Sequence, residues 1–115
     1  MTITRIKTGP RMSQCVVHGD TVYTAGQVAD DSSKDVVGQT RQVLAKIDGL
    51  LAEAGTDKSK ILKGTIWLAD ISQFNEMNSV WDTWVDTDNP PVRACVESKL
   101  AFPELLVEIQ VEAAK

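Results

Sequence analysis

Two charged residues stand in the last quarter of the chain where a half-buried sheet would carry apolar side chains. They are Arg93 in Val92-Arg93-Ala94-Cys95-Val96-Glu97 and Glu108 in Leu105-Leu106-Val107-Glu108-Ile109. Successive strand residues point to opposite faces. Val92, Ala94 and Val96 therefore share one face, and Arg93 and Cys95 the other. On the following strand, Val107, Ile109 and Val111 share a face and Glu108 points away from them. An Arg grips a carboxylate through two parallel hydrogen bonds, and a Glu holds or activates a water. Together they describe a small pocket for an anionic metabolite, with Arg93 as anchor and Glu108 as the group that serves the water. The competing reading is an ion pair on a solvated face, between Glu108 and Arg93 or a neighbouring Lys, worth less than about 1 kcal/mol. Cys95 shares the face of Arg93. A free Cys is most often a small buried hydrophobe, and no His is at hand to activate it, so it reads as a wall residue.

Other chemistries lack their residues. The sole His, His18, sits at a strand end before Gly19-Asp20, and the two cysteines, Cys15 and Cys95, are far apart. Neither a zinc set nor a disulfide framework is expected. There is no Gly-rich phosphate loop and no nucleophile elbow, so the expectation is chemistry without metal or cofactor. Twelve Lys and Arg against sixteen Asp and Glu give a net charge of −4, with no basic run. That composition argues against a nucleic-acid partner. No run approaches the ~20 apolar residues of a membrane span, and Met1-Thr2-Ile3-Thr4-Arg5 lacks the apolar core of a signal peptide. A cytoplasmic protein with no membrane partner is expected.

The elements that must position these residues can be read in order. At 115 residues the chain is one domain, residues 1–115. Ile3–Ile6 is a short strand, and Gln14–His18 and Thr21–Ala25 flank the turn signal Gly19-Asp20 as a hairpin. Asp30–Lys34 is a polar loop. From Val36 to Ala54, apolar-facing positions at Val36, Thr40, Val43, Leu44, Ile47, Leu50, Leu51 and Ala54 have helical spacing, and Gly55 stops the helix. Ile61–Leu68 is a buried strand. Asp70 caps a second helix with Ile71, Phe74, Met77, Trp81, Trp84 and Val85 on one face, and Asn89-Pro90-Pro91 ends it. Trp81 and Trp84 read as core, and Asn78 as a structural cap to a nearby loop. The order β-β-β-α-β-α-β-β predicts a two-layer α+β domain, with two helices over one face of a mixed sheet. Apolar residues at both parities, among them Val16, Val17, Ile66, Trp67 and Leu68, leave the other face needing a cover. Oligomerisation is the simplest cover for so small a domain.

The segment Pro91–Glu97 with Val107-Glu108-Ile109 resembles the C-terminal signature of the reactive intermediate deaminase family, also called Rid or YjgF. Thr24-Ala25-Gly26-Gln27-Val28 resembles that family's Gly-Gln turn, Gln39–Leu44 its first helix and Phe74–Trp81 its second, including the Asn. The resemblance covers nearly the whole chain. It implies a chorismate-mutase-like fold assembled as a homotrimer with intersubunit clefts, and hydrolysis of 2-enamine and 2-imine acids to 2-keto acids and ammonia without a cofactor. It implies Arg93 as carboxylate anchor, Glu108 as the water-positioning or proton-shuttling residue, Cys95 and Ala25 as pocket lining, and the Gly26 backbone close to the ligand. The plainer reading of Gly26 is a strand-end turn. Two positions depart from the family pattern: Arg11 follows Gly9-Pro10 where many catalytic members have Tyr, and Ala25 replaces a Ser. Both changes remove hydroxyls that help orient water or substrate. They leave open an alternative, a non-catalytic protein that binds a keto acid at the same cleft. Arg11 is then either a surface residue or a second positive group at the cleft mouth.

Overall fold

A computed structural model describes all 115 residues. Strands β1 (Ile3–Thr8), β2 (Ser13–His18) and β3 (Thr21–Thr24) are followed by helix α1 (Val36–Glu53). Strand β4 (Ile61–Leu68), helix α2 (Phe74–Trp84) and strands β5 (Val92–Glu97) and β6 (Val107–Ala114) complete the order. This is the expected succession, with short 3₁₀ turns at Lys58–Lys60 and Ile71–Gln73. The six strands form one sheet in the order β1-β2-β3-β6-β4-β5. Only β4 and β5 run parallel. A parallel pair needs a crossover, and α2 supplies it.

Both helices lie on one face. Its core joins Val43, Leu44, Ile47 and Leu51 of α1 and Met77 and Trp81 of α2 to Ile66, Leu68, Val107, Ile109 and Val111 of the central strands. The molecule is 19 Å along its shortest axis, the depth of one sheet and one helix layer. The opposite sheet face is bare. Register places Val16, Tyr23, Glu112, Gln110, Glu108, Lys63, Thr65, Trp67, Val92, Ala94 and Val96 there. Tyr23, Val92 and Val96 are exposed.

Helix α1 is capped as its sequence demands, with Asp35 accepting from the Gly38 amide at 2.8 Å. Its end is closed by Thr56 N donating to Leu51 O at 2.9 Å. Helix α2 differs from expectation at both ends. Asp70 caps the 3₁₀ turn, accepting from Ser72 N at 2.9 Å, and α2 proper starts at Phe74 without a side-chain cap. Its far end falls at Trp84, well before Pro90. Asp86 takes over there, accepting from Asp88 N at 3.0 Å, and Val85 turns extended. Ile71 and Phe74, expected on the core stripe, are 42% and 38% exposed, and Val80 is buried instead.

Gln39 is a core residue that apolar periodicity does not reveal. Fully buried, its Nε2 donates to the carbonyls of Ser32, Lys34 and Glu104, and its Oε1 accepts from Leu106 N at 2.9 Å. One side chain thus ties the loop before α1 to the loop before β6.

Candidate functional site

Arg93 lies on β5, an edge strand, opposite Gly64 of β4. This parity sends its side chain to the helix side of the sheet, beneath α2. There Nη1 donates to Asn78 Oδ1 at 2.7 Å. Its Cζ stands 5.2 Å from the Trp81 ring centroid and 5.7 Å from that of Phe74. Phe74, Asn78 and Trp81 share a helix face because they are spaced by four and three residues. Asn78 therefore holds Arg93 rather than capping a loop. Trp81 is core as expected, and Trp84 is half-buried with its Nε1 donating to Asp48 Oδ2 at 2.9 Å.

Cys95 follows on the same side, paired with Ile66 and packed against the core. Burial pushes its thiol pKa up, and the Arg93 charge offsets part of that rise. A protonated thiol suits a wall and not a nucleophile.

Glu108 projects from the other face. It pairs with Trp67 of β4, while its neighbour Ile109 pairs with buried Ile66. Arg93 and Glu108 thus point to opposite sides of the sheet within one chain. Neither an ion pair between them nor a cleft shared within a single chain is possible, contrary to a simple parity argument. The chain's two ion pairs, Lys7–Glu53 and Lys46–Asp30, involve neither residue. Burial raises the Glu108 pKa, because a half-buried carboxylate without a partner loses hydration.

The Glu108 carboxylate rests on Gly26. A Cβ at position 26 would sit 2.0 Å from Oε2, so only Gly permits this approach. The segment is pinned from both sides. Gln27 N donates to Ile109 O at 2.8 Å, Ile109 N donates to Gln27 O at 3.1 Å, and Ala25 N donates to Gln14 O at 2.8 Å. Buried Gln27 adds Nε2 donations to Gln14 Oε1 at 2.9 Å and Ala25 O at 3.2 Å. Ala25, Gly26 and Glu108 thus gather at one end of the sheet. Arg11, exposed in the β1–β2 turn, lies at that same end. Gly26 is therefore more than a turn residue: its missing side chain makes room for Glu108.

None of the four best-formed cavities of the single chain is lined by Arg93, Cys95 or Glu108. The largest, about 840 Å³, lies elsewhere, between α1 and the strands bearing Lys7 and Gln14. No three His, Cys, Asp or Glu side chains converge as a metal-ligand set. The cluster that sequence reasoning missed is Phe74, Asn78 and Trp81 around Arg93. Its signal was the four-then-three spacing on α2, which core packing alone also explains.

These features define a two-layer α+β domain with a clamped Arg at one sheet edge and an unpaired carboxyl on the bare face. Residues 2–115 match the family described as Endoribonuclease L-PSP. A RutC family protein of Haemophilus ducreyi is 47% identical over 112 residues, covering 97% of this chain and 96% of the relative. The RutC family protein YoaB of Escherichia coli is 43% identical over 114 residues, with 99% of each covered. Among solved structures, a member of the YjgF protein family from Neisseria meningitidis superposes with a TM-score of 0.97 at 43% identity, covering 100% of this chain and 96% of that one. The chain belongs to the YjgF/Rid family, and its sheet and helices have the chorismate-mutase-like order expected from sequence.

Proposed function

We propose that this protein hydrolyses reactive 2-enamine and 2-imine acids to 2-keto acids and ammonia, in the cytoplasm and without a cofactor. Arg93 binds the substrate carboxylate. Glu108 places a water against the imine carbon, with Cys95 and Ala25 as lining and the Gly26 backbone alongside. An imine is already electrophilic, so the protein need only bind the carboxylate, favour the protonated imine and deliver water. The observation that carries this reading is the half-buried Glu108 carboxyl. It is raised in pKa, free of any cation of its own chain, and seated on a glycine that has room for nothing larger. A group with a perturbed pKa and no structural partner fits a general base better than a stabilising ion pair.

The opposite projection of Arg93 and Glu108 supports a cleft formed between subunits. In a homotrimer, Arg93 of one copy would face Glu108 of the next. The bare sheet face, with Val16, Tyr23, Trp67, Val92 and Val96, gives such an assembly a surface to cover.

The test is ammonia release from imines generated in situ by an amino-acid oxidase or a threonine dehydratase, across several amino acids. Wild-type protein should accelerate imine decay and Arg93→Ala should not. Calorimetry with 2-oxobutanoate should show binding by wild type and none by Arg93→Ala, since a charged bidentate contact contributes ~1.5–3 kcal/mol. Binding without acceleration would instead favour a keto-acid-binding protein, the reading that Arg11 and Ala25 support through their missing hydroxyls. The family description names an endoribonuclease. A net charge of −4 without a basic groove fits a phosphate backbone poorly.

A further inference from the structure

Gly64 is an anomaly in the fold. It occupies the middle of β4, a central strand, where a glycine forfeits packing and weakens the strand. Its neighbours would meet a single added Cβ at ordinary van der Waals distance, so it is a larger side chain that the packing of Trp81 and Arg93 resists. A Cβ at Gly64 would stand 3.4 Å from Trp81 Cη2 and 3.8 Å from Arg93 Cγ. The bare backbone of Gly64 forms a seat into which the indole of Trp81 descends from α2, and Arg93 lies opposite Gly64 in the adjoining strand. The indole is 5% exposed and its ring centroid is 5.2 Å from the Arg93 guanidinium carbon.

We propose that Trp81, seated on Gly64, is the positioning residue for Arg93: it fixes the guanidinium by cation–π contact so that the donors left free by Asn78 keep one orientation toward an incoming carboxylate. This rests on the reading of Arg93 as the anchor, and it adds the cause of the anchor's geometry. A free Arg side chain samples many rotamers, and ordering it at the moment of binding lowers affinity. Here the ordering is done in advance by three side chains of α2. Phe74 contributes at 5.7 Å, and Asn78 takes one Nη1 hydrogen at 2.7 Å. Asn78 fixes one atom, and a single hydrogen bond leaves the guanidinium plane free to swing about it. The indole face restrains that plane. An aromatic face within about 6 Å of a cation attracts it, most strongly for Trp.

Nitrogen-15 NMR of the Arg side chains tests this without reference to activity, with the Arg93 signals assigned by their loss in Arg93→Lys. In wild type, the Arg93 N–H protons should be shifted upfield by the indole ring current, with slowed guanidinium rotation. Trp81→Leu should abolish both effects. Gly64→Val should also abolish them, by lifting the indole off its seat while leaving Trp81 in place. Val80→Ala, a buried change on the same helix with no part in the Arg93 contacts, should lower the melting temperature and leave the Arg93 signals unmoved. Affinity for 2-oxobutanoate should fall roughly two- to thirtyfold in Trp81→Leu, and not in Val80→Ala. Arg93 signals at free-arginine positions in wild type, or unmoved in both Trp81→Leu and Gly64→Val, would overturn the proposal. If the signals behave as expected and wild type binds no 2-keto acid, the positioning role stands and the assignment of the ligand falls.

Discussion

Glu108 combines partial burial, no cation within reach in its own chain, and a backbone seat at Gly26. If it places water, its loss acts in the transition state. Glu108→Gln should lower kcat by about 10²-fold, the low end for acid–base help, with little change in KM. Steady-state kinetics with an in-situ imine source would show this, and a raised KM at wild-type kcat would make Glu108 a binding residue instead. The same group makes a stability prediction of definite sign. Its folded pKa is raised, so its contribution is present below the unfolded carboxyl pKa and is lost as pH rises through the folded value. At neutral pH the ionised form opposes folding. In the Arg93→Ala background, which removes the cation a neighbouring copy would bring to the cleft, Glu108→Gln should therefore melt higher than Arg93→Ala alone at pH 7, and the gain should vanish at pH below the ordinary carboxyl range. Equal melting curves at both pH values would mean that burial does not strain this carboxyl. Cys95→Ser should keep most turnover, because a thiol held protonated by burial offers no nucleophile. Alternation assigned every one of these side chains to a face of its own strand correctly. It could not say which face of β5 corresponds to which face of β6, because that depends on β4 lying between them.

At the scale of elements, α1 shows both the reach and the limit of periodicity. Its apolar stripe, the hairpin turn and the full extent of β4 at Ile61–Leu68 match the sequence reading. The end of α2 does not, because Pro90 forbids a helix only locally, while the Asp86 turn offers the backbone other partners earlier. Gln39 escaped notice for a related reason: a buried amide is polar in sequence and core in space. Removing it leaves the Leu106 amide and the Glu104 carbonyl without their partners. Each orphaned group costs about 1–3 kcal/mol. Gln39→Leu should accordingly lower stability by roughly 2–4 kcal/mol in urea denaturation, at least as much as a core truncation of similar size. The loop that Gln39 holds, ahead of β6, also leads into Glu108, so turnover should fall alongside stability. A loss below about 0.5 kcal/mol would mean that water replaces the amide.

The proposed function poses, at the scale of the whole molecule, a question that a single chain cannot answer: how an Arg on the helix side and a Glu on the bare side would reach one substrate. Homotrimeric assembly answers it if each cleft takes Arg93 from one subunit and Glu108 from its neighbour, a head-to-tail contact that closes on itself. Light scattering at micromolar concentration should give three times the 12.6 kDa chain mass. A monomer would remove the cleft altogether. The decisive measurement is complementation. Arg93→Ala and Glu108→Gln are each expected to be nearly inactive alone. When the two are unfolded together and refolded in equal amounts, subunits assort at random, and about a quarter of the head-to-tail clefts receive an intact Arg93 from one chain and an intact Glu108 from the next. Imine-hydrolysing activity should recover to about a quarter of wild type, while Arg93→Ala refolded alone recovers none and Glu108→Gln alone only about 1%. A mixture as inactive as its components would mean that the two residues do not share a cleft across a subunit boundary. Since the sheet already separates them within one chain, that result would strip one of the two of its proposed role.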